Sequence, residues 1–350
     1  MSWFVALLVL SALIFFHELG HYAAARLMGV YVEVFSIGFG SKIASFKRWG
    51  TEWRIALIPL GGYVKMKGQD DSDPSKKSYD TDSYNVKTPL QKIFILLAGP
   101  LANFVLAFFL YFVIALGGPQ VASPVIGEVL ADSPAQKAGL LKNDTILQIN
   151  DQEIKTWKEM AEIISSAEGT LSLQVNREGF IESLMLTPEL KETTNIYGEL
   201  IQKKMIGIQS AGVTHTLELG VVETFSYATE QTIFASTLIF TGVKKLLFGE
   251  VPASELGGVI SIVKVTSDAT DAGWMAVFFF AALISVNLGV LNLLPIPALD
   301  GGHIMFNLYE FITKRAPSEA VLIKLTIAGW MILFSLMGLG LYNDINRLMG

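Results

Sequence analysis

Residues 3–27 read WFVALLVLSALIFFHELGHYAAARL, an apolar stretch with one cluster of ionisable side chains near its end. A helix needs about 20 apolar residues to cross the hydrocarbon core of a bilayer. The stretch therefore predicts a membrane-spanning helix. It is not typical of a signal peptide, because no basic residue precedes it and the His17-Glu18 pair lies inside it.

The rest of the chain is similarly apolar. Of its 350 residues, 51% are hydrophobic and only 17% are charged, whereas a soluble protein carries about 25% charged residues. Further stretches of spanning length lie at about residues 93–116, 274–294 and 320–342. We therefore predict a polytopic α-helical membrane protein with four transmembrane helices. The net charge is −6, so the chain has no overall excess of basic residues, and no nucleic-acid partner is expected.

Basic residues cluster in two of the predicted loops, and cytoplasmic loops carry the excess of lysine and arginine in membrane proteins. From the end of the first helix onward these residues are Arg26, Lys42, Lys47, Arg48, Arg54, Lys65 and Lys67, and around the start of the fourth they are Lys314, Arg315 and Lys324. Both loops are therefore expected in the cytoplasm. Both chain ends, and about residues 117–271, are then expected outside.

The sequence divides into four segments. Residues 1–120 are predicted to form an N-terminal membrane core with a membrane-associated β-hairpin region at 31–66, where apolar and polar residues alternate. Residues 121–190 contain short alternating strands and predict one inserted α+β domain. Residues 191–271 are predicted to be a linker with a surface helix, and residues 272–350 a C-terminal membrane core.

The linker contains one helix-prone stretch at 221–248. It is interrupted by Glu223, Glu230, Lys244 and Lys245, which favours an amphipathic helix on the outer membrane surface. A fifth membrane span is the alternative.

The inserted segment contains SPAQKAGL at 133–140, NDTI at 143–146 and INDQEI at 149–154. This pattern resembles a PDZ domain of the bacterial protease type. Two usual glycines are replaced by Asn143 and Asp151, whose residue types best tolerate left-handed turns.

The PDZ resemblance implies a peptide-binding edge in the stretch PVIGEV at 124–129, at Ile126, Gly127 and Val129. Peptide chain ends would add there as an extra strand. A packing or spacer domain that binds nothing is the alternative.

The motif HELGH at 17–21 carries the clearest chemical signal. Residues four apart share one face of a helix, so His17 and His21 can bind one metal ion, and Glu18 lies beside them to take a proton from an activated water. Ionisable residues inside a membrane helix are costly and indicate function. A polar patch that packs against other helices is the alternative.

Two histidines leave a catalytic zinc site one protein ligand short. The chain has no cysteine, so the third ligand must be a carboxylate or another histidine. Asp300 follows the third helix in PALDGGH at 297–303. Because the first and third helices both run inward, His17, His21 and Asp300 are expected at one membrane depth. A helix N-cap or turn aspartate is the alternative for Asp300.

The HELGH helix, the Leu-Asp-Gly-Gly motif at 299–302 and a single PDZ-like domain between them resemble the site-2 protease family of intramembrane zinc metalloproteases. The branch is that of the bacterial regulator of sigma-E protease. The resemblance covers the whole chain and includes AGPLANF at 98–104, NLG at 287–289 and NLLP at 292–295. Some relatives in this branch carry two tandem PDZ domains, whereas this chain shows one.

The resemblance implies a zinc metalloendopeptidase in a bacterial inner membrane, with its active site near the cytoplasmic face. His17, His21 and Asp300 would bind one zinc ion per chain, and Glu18 would activate water. The expected partners are the lipid bilayer and single-pass membrane proteins, such as anti-sigma factors or remnant signal peptides. The residues implied to hold unwound substrate are Gly61, Gly62, Tyr63, Val64, Asn292 and Pro297.

Two other classes of protein were compared with this prediction. An inert membrane adaptor would capture peptide ends through the PDZ-like domain, but it would not need His17, Glu18, His21 and Asp300 together. A metal-ion transporter would carry further carboxylates or histidines along several membrane helices, which the sequence does not show.

Overall fold

The computed structural model describes residues 2–69, 78–195 and 197–349, and it divides into two compact units. The helical unit comprises Met1–Ala115 and Val221–Gly350, and the inserted unit comprises Leu116–Gly220.

Most of the helical unit is α-helix. Across the residues that the structure describes, the α-helices are α1 (Ser2–Leu27), α2 (Pro89–Leu116), α3 (Pro134–Lys137), α4 (Trp157–Ser166), α5 (Val221–Leu247), α6 (Val259–Ala272), α7 (Trp274–Asn292), α8 (Asp300–Thr313) and α9 (Glu319–Met349). Single turns of 3-10 helix lie at Tyr84–Val86 and Ala253–Glu255. Among the described residues, α1, α2, α7 and α9 are long and apolar enough to cross a membrane. These are the four helices that the sequence predicts.

The ends of three of these helices differ from the sequence-based ranges, and the largest difference is at α9, which continues past residue 342 to Met349. Helix α2 begins before residue 93, with Pro89 in its first position. Thr88 and Gln91 cap it, since the Thr88 N–H donates to Gln91 Oε1 at 3.0 Å. This polar first turn carries no hydropathy signal. Helix α7 ends at Asn292, because the residue before Pro295 is disfavoured in helical conformation.

Helix α7 contributes to two buried clusters of the helical unit. In one, Val277 packs with Leu13 of α1. In the other, Val286 packs with Tyr111 of α2 and Ala235 of α5. Through these clusters α7 holds α1, α2 and α5 together.

A β-hairpin follows α1. Its strands are β1 (Val32–Arg48) and β2 (Thr51–Met66), and both bend, so that Phe35 of β1 is paired with Val64 on one side and Trp53 on the other. Phe35 also stacks on Trp53 at 4.5 Å between ring centroids and contacts Tyr22 of α1 edge-on at 5.9 Å. The hairpin is thus anchored to the end of α1 next to His21.

Helix α6 is an element that the sequence did not predict, since residues 259–271 fell within the proposed linker. It packs against both α1 and α7. Its N-terminus is held by α9, where the buried Asp344 carboxylate accepts hydrogen bonds from the Gly258 and Ile260 N–H groups at 3.0 and 2.9 Å. Polar residues inside α6, such as Asp268, hid its apolar face.

The inserted unit is an α+β structure. Its strands are β3 (Gln120–Ala122), β4 (Ile126–Val129), β5 (Thr145–Ile149), β6 (Gln152–Glu153), β7 (Leu171–Arg177), β8 (Phe180–Leu186), β9 (Glu189–Thr194), β10 (Leu200–Met205), β11 (Ile208–Ser210) and β12 (Thr214–Thr216). One sheet has the order β6-β5-β7-β8, and the remaining strands form the pairs β3–β12, β4–β11 and β9–β10.

The inserted unit extends beyond residue 190, where the sequence-based domain ended. Strands β11 and β12 return to pair with β4 and β3, so residues 200–216 belong to the same unit. Each of these returning strands has three residues, which is too short for alternation to be recognised. Asn143 and Asp151 both have positive φ, at 70° and 64°, as their residue types allow.

An ion pair between the buried Asp144 and the half-buried Arg177 joins β7 to the residue before β5. Arg177 donates two hydrogen bonds to the Asp144 carboxylate, at 2.9 and 2.7 Å. Asp144 is only 1% exposed. Burial would raise the pKa of Asp144, but hydrogen bonds from Arg177 and the Leu141 N–H outweigh burial and hold that pKa below its usual range.

Candidate metal centre

The structure brings the three predicted metal ligands together. His17 and His21 lie one turn apart on α1, with 3.2 Å between their Nε2 atoms. Asp300 is the first residue of α8, and its Oδ2 lies 3.3 Å from each Nε2. These three side chains form the candidate metal centre.

Close contact between α1 and α2 places the histidines. A Cβ added to Gly20 would lie 2.2 Å from the Ala98 carbonyl oxygen, and one added to Gly99 would lie 2.2 Å from His21 Nε2. Only glycine therefore fits at either position. The glycine of HELGH brings the helices together, and Gly99 makes room for the buried imidazole of His21.

The chain between α7 and α8 places Asp300. A Cβ on Gly301 would lie 2.4 and 2.2 Å from the carbonyl oxygens of Leu293 and Leu294. The start of α8 therefore packs directly against the two residues that follow α7. The N-cap of α8 is Leu299. Asp300 is therefore not the N-cap that was the alternative, and its carboxylate faces the two imidazoles.

The spacing of the three atoms fits a tetrahedral zinc ion. Zinc binds imidazole nitrogen and carboxylate oxygen at about 2.0–2.1 Å, so two ligands of a tetrahedron are about 3.3 Å apart. The observed separations are 3.2, 3.3 and 3.3 Å. Asp300 Oδ2 is also buried and has no hydrogen-bond donor among the described residues. A cation between the three atoms would satisfy it.

His21 makes a hydrogen bond through Nδ1, which leaves Nε2 as the nitrogen that can bind a metal ion. Its Nδ1 lies 2.9 Å from the Ile95 carbonyl oxygen. A carbonyl only accepts, so Nδ1 carries the proton and Nε2 keeps a free lone pair. His17 has a different neighbour, because its Nδ1 lies 3.2 Å from Nδ2 of Asn103 on α2.

Sequence reasoning missed Asn103 as a site residue, although it lies in the quoted AGPLANF stretch. The available signal was a carboxamide within an otherwise apolar spanning helix. In the structure Asn103 is fully buried.

Glu18 lies between the histidines in sequence and faces the hairpin. A Cβ on Gly62 of β2 would come within 3.0 Å of Glu18 Cγ and 2.9 Å of Ile14 Cγ2. The Glu18 side chain is half-buried. Strand β2 therefore runs directly past the residue predicted to activate water.

The other predicted substrate-binding residues lie in two segments. Gly61, Tyr63 and Val64 belong to β2, where the Tyr63 hydroxyl lies 3.3 Å from an Arg54 guanidinium nitrogen and Val64 packs with the core of the hairpin. Asn292 ends α7 and Pro297 lies in the connection to α8. The second segment leads to Asp300.

Of the three residues predicted to form the peptide-binding edge of the inserted unit, Ile126 differs from Gly127 and Val129. Ile126 is buried, its N–H donates to the Asp144 carbonyl at 2.9 Å, and its carbonyl accepts from the Asn143 N–H at 2.7 Å. Ile126 is therefore not available to an added strand. Gly127 and Val129 line a cavity of about 410 Å³, together with Gln136, Leu140 and Leu141.

Comparison with known proteins gives the class to which this fold and site belong. Residues 5–336 match the family described as Peptidase family M50. The chain belongs to peptidase family M50, and its four apolar helices agree with a membrane protease.

Relatives of known sequence match this chain over nearly their whole length. A Campylobacter jejuni protein named "Putative zinc metalloprotease" is 46% identical, over 100% of this chain and 94% of its own. Proteins with the same description from Helicobacter pylori and Clostridium acetobutylicum are 42% and 33% identical, over 99% of this chain and 99% and 98% of their own.

One solved structure is similar to part of the chain. It is the PDZ domain of an SdrC-like protein from Listeria innocua, which is 23% identical and has a TM-score of 0.21. The match covers 28% of this chain and 99% of the other.

Proposed function

We propose that the protein is an intramembrane zinc metalloendopeptidase of the site-2 type, which cleaves the transmembrane segments of single-pass membrane proteins. The observation that carries this proposal is the convergence of His17, His21 and Asp300 at zinc-ligand spacing. Membership of family M50 and relatives named as zinc metalloproteases support it.

His17, His21 and Asp300 would hold one zinc ion per chain. Zinc bound there would lower the pKa of a water ligand to about 7 and polarise the scissile carbonyl group. The half-buried Glu18 lies on the same helical turn as both imidazoles. Glu18 accepts the proton of the attacking water and passes it to the leaving amine.

Substrate must be extended before it can be cleaved, because a peptide bond inside a helix is protected by its own hydrogen bonds. Strand β2 passes Glu18 at Gly62, so a substrate strand added along Gly61–Val64 would lie next to the proton acceptor. Asn292 and Pro297 would hold the substrate backbone from the segment that carries Asp300.

The charge pattern of the loops supports an orientation with the metal centre near the cytoplasmic side of a bacterial inner membrane. Both chain ends and the inserted unit would lie outside. Substrates would be anti-sigma factors already clipped outside, or remnant signal peptides. The inserted unit would act as a PDZ-like domain that receives chain ends at the cavity beside Gly127 and Val129.

The test is cleavage of a model single-pass substrate by the purified full chain in lipid vesicles. A zinc chelator should abolish cleavage, and added zinc should restore it. Asp300→Asn and Glu18→Gln should each lower turnover by a factor of about 10² or more, while Asp271→Asn, at an exposed aspartate of α6, should leave it unchanged. Undiminished cleavage by Glu18→Gln would overturn the role of Glu18. An inert adaptor would bind peptide ends without zinc or cleavage.

A further inference from the structure

We propose that Asn103 is a positioning residue, whose side-chain oxygen accepts a hydrogen bond from Nδ1–H of His17 and so keeps His17 Nε2 free to bind metal. The inference rests on the metal centre proposed above. It concerns a residue on α2 that contributes no ligand of its own.

The first observation is a buried carboxamide that is only half satisfied. Asn103 is 0% exposed, and its Nδ2 lies 3.2 Å from His17 Nδ1. Its Oδ1 is buried and has no hydrogen-bond partner among the described residues. Only one end of the amide therefore has a hydrogen-bond partner, and the contact with His17 decides whether that end is the oxygen or the nitrogen.

The second observation is the direction in which His17 faces the other ligands. Its Nε2 lies 3.3 Å from Asp300 Oδ2 and 3.2 Å from His21 Nε2, so Nε2 is the atom that would bind metal. A neutral imidazole carries one proton, and a ligating Nε2 leaves that proton on Nδ1. Nδ1 is then a donor, and an amide nitrogen cannot accept from it.

A half-turn of the Asn103 carboxamide resolves the conflict. The oxygen and nitrogen of an asparagine amide have nearly the same size and are assigned from their hydrogen bonds. With Oδ1 in the place of Nδ2, the 3.2 Å contact becomes an Nδ1–H donor to a carbonyl-type acceptor. This is the geometry that His21 already has with the Ile95 carbonyl.

Helix α2 would therefore supply one acceptor to each imidazole of α1. Ile95 and Asn103 lie about two turns apart on α2, and each contacts one of the two imidazoles of α1. The Asn103 backbone is held within helix α2 itself, and its carbonyl also accepts a hydrogen bond from the Ser285 hydroxyl of α7 at 2.8 Å. Ser285 thus contacts Asn103 without contacting an imidazole in the described hydrogen bonds.

The experiment compares zinc affinity of the purified full chain, measured by competition with a chromophoric chelator. Asn103→Leu has a similar shape and no acceptor, and we expect it to weaken zinc binding by about 10- to 100-fold. Asn103→Asp has acceptors only, and it should keep the affinity within a few-fold of wild type. Ser285→Ala is the matched control and should also keep it. Melting of the zinc-free proteins reports any purely structural loss.

Two results would overturn the inference while wild type binds zinc. One is Asn103→Leu binding zinc as tightly as wild type, and the other is Asn103→Asp losing affinity as Asn103→Leu does, which would make the amide a donor. If Asn103→Leu does not fold, Asn103→Asp decides alone. A wild-type chain that binds no zinc would instead contradict the proposed metal centre itself.

A second measurement identifies which nitrogen of the His17 imidazole carries the proton. In zinc-loaded wild type with ¹⁵N-labelled histidine, nuclear magnetic resonance should show His17 protonated at Nδ1. Protonation of His17 at Nε2 in that sample would contradict the inference, whatever the affinities of the variants.

Discussion

The metal centre depends on residues that bear no charge. Gly99 of α2 lies where any side chain would strike the ring of His21, and Asn103 lies one turn further along the same helix against His17. The ligands are thus placed by how closely α1 and α2 approach. The geometry of the proposed ligands is therefore set by neighbouring residues.

Gly99→Ala tests this dependence. The new Cβ would lie 2.2 Å from His21 Nε2, a distance at which the ring must move. We expect zinc affinity to fall by at least about tenfold, by analogy with the loss of other residues that orient ligands. Chelator competition on the purified full chain measures it.

The control for that substitution is Gly338→Ala on α9. A Cβ there would meet nothing within 4 Å, and alanine is the better helix former. Zinc affinity should be unchanged and the melting temperature equal or slightly higher. Equal zinc affinity of Gly99→Ala and wild type would show that the ring position at His21 does not limit binding.

The residue pattern could predict the three residues of the candidate metal centre, but not the residues that position them. His17 and His21 follow from helical spacing, and Asp300 follows from the order of helices and the need for a third ligand. Gly99 and Asn103 lie in the apolar helix α2, and the side of α2 that faces α1 depends on the rotation of α2 about its own axis. That rotation is set by tertiary packing, which the sequence does not display.

At the scale of elements, long apolar helices were predictable and short or polar elements were not. Helices α1, α2, α7 and α9 carry a signal over 18 residues or more. Helix α6 combines an apolar face with polar residues, and strands β11 and β12 gain their partners from residues about 80 to 95 positions earlier. Their pairing is non-local, so no local pattern reveals it.

The inserted unit should depend on the Asp144–Arg177 pair. Asparagine still accepts hydrogen bonds but lacks the negative charge that Arg177 contacts, so we expect Asp144→Asn to lose about 1–3 kcal/mol at pH near 7. Hydrogen exchange of β5 and β7 in the full chain measures this loss. Asp151→Asn, at an exposed turn aspartate, is the control.

The effect should depend on pH with a definite sign. The pKa of Asp144 is lower in the folded than in the unfolded chain, so its contribution is present above the unfolded pKa of about 3.9. It is lost as the pH falls through the lower, folded pKa. The stability difference between wild type and Asp144→Asn should therefore shrink in acid. A difference that grows in acid would contradict the assignment.

At the scale of the whole molecule, the charge pattern predicts an orientation in the membrane that cysteine labelling can measure. The chain has no cysteine, so single cysteines report their own position. In intact cells a membrane-impermeant maleimide should label Lys142→Cys in the inserted unit. It should label Arg315→Cys, between α8 and α9, only after the membrane is opened. The cysteine-free chain is the control, and the reverse labelling pattern would refute the orientation.

The central claim is that two imidazoles and one distant carboxylate hold a zinc ion, and zinc-edge X-ray absorption of the purified full chain measures this most directly. We predict one zinc per chain with two imidazole ligands and oxygen ligands at about 2.0 Å, together with loss of an oxygen ligand or of the zinc itself in Asp300→Asn. A folded wild type without zinc, or a zinc spectrum unchanged by substitution of His17, His21 or Asp300, would contradict the account.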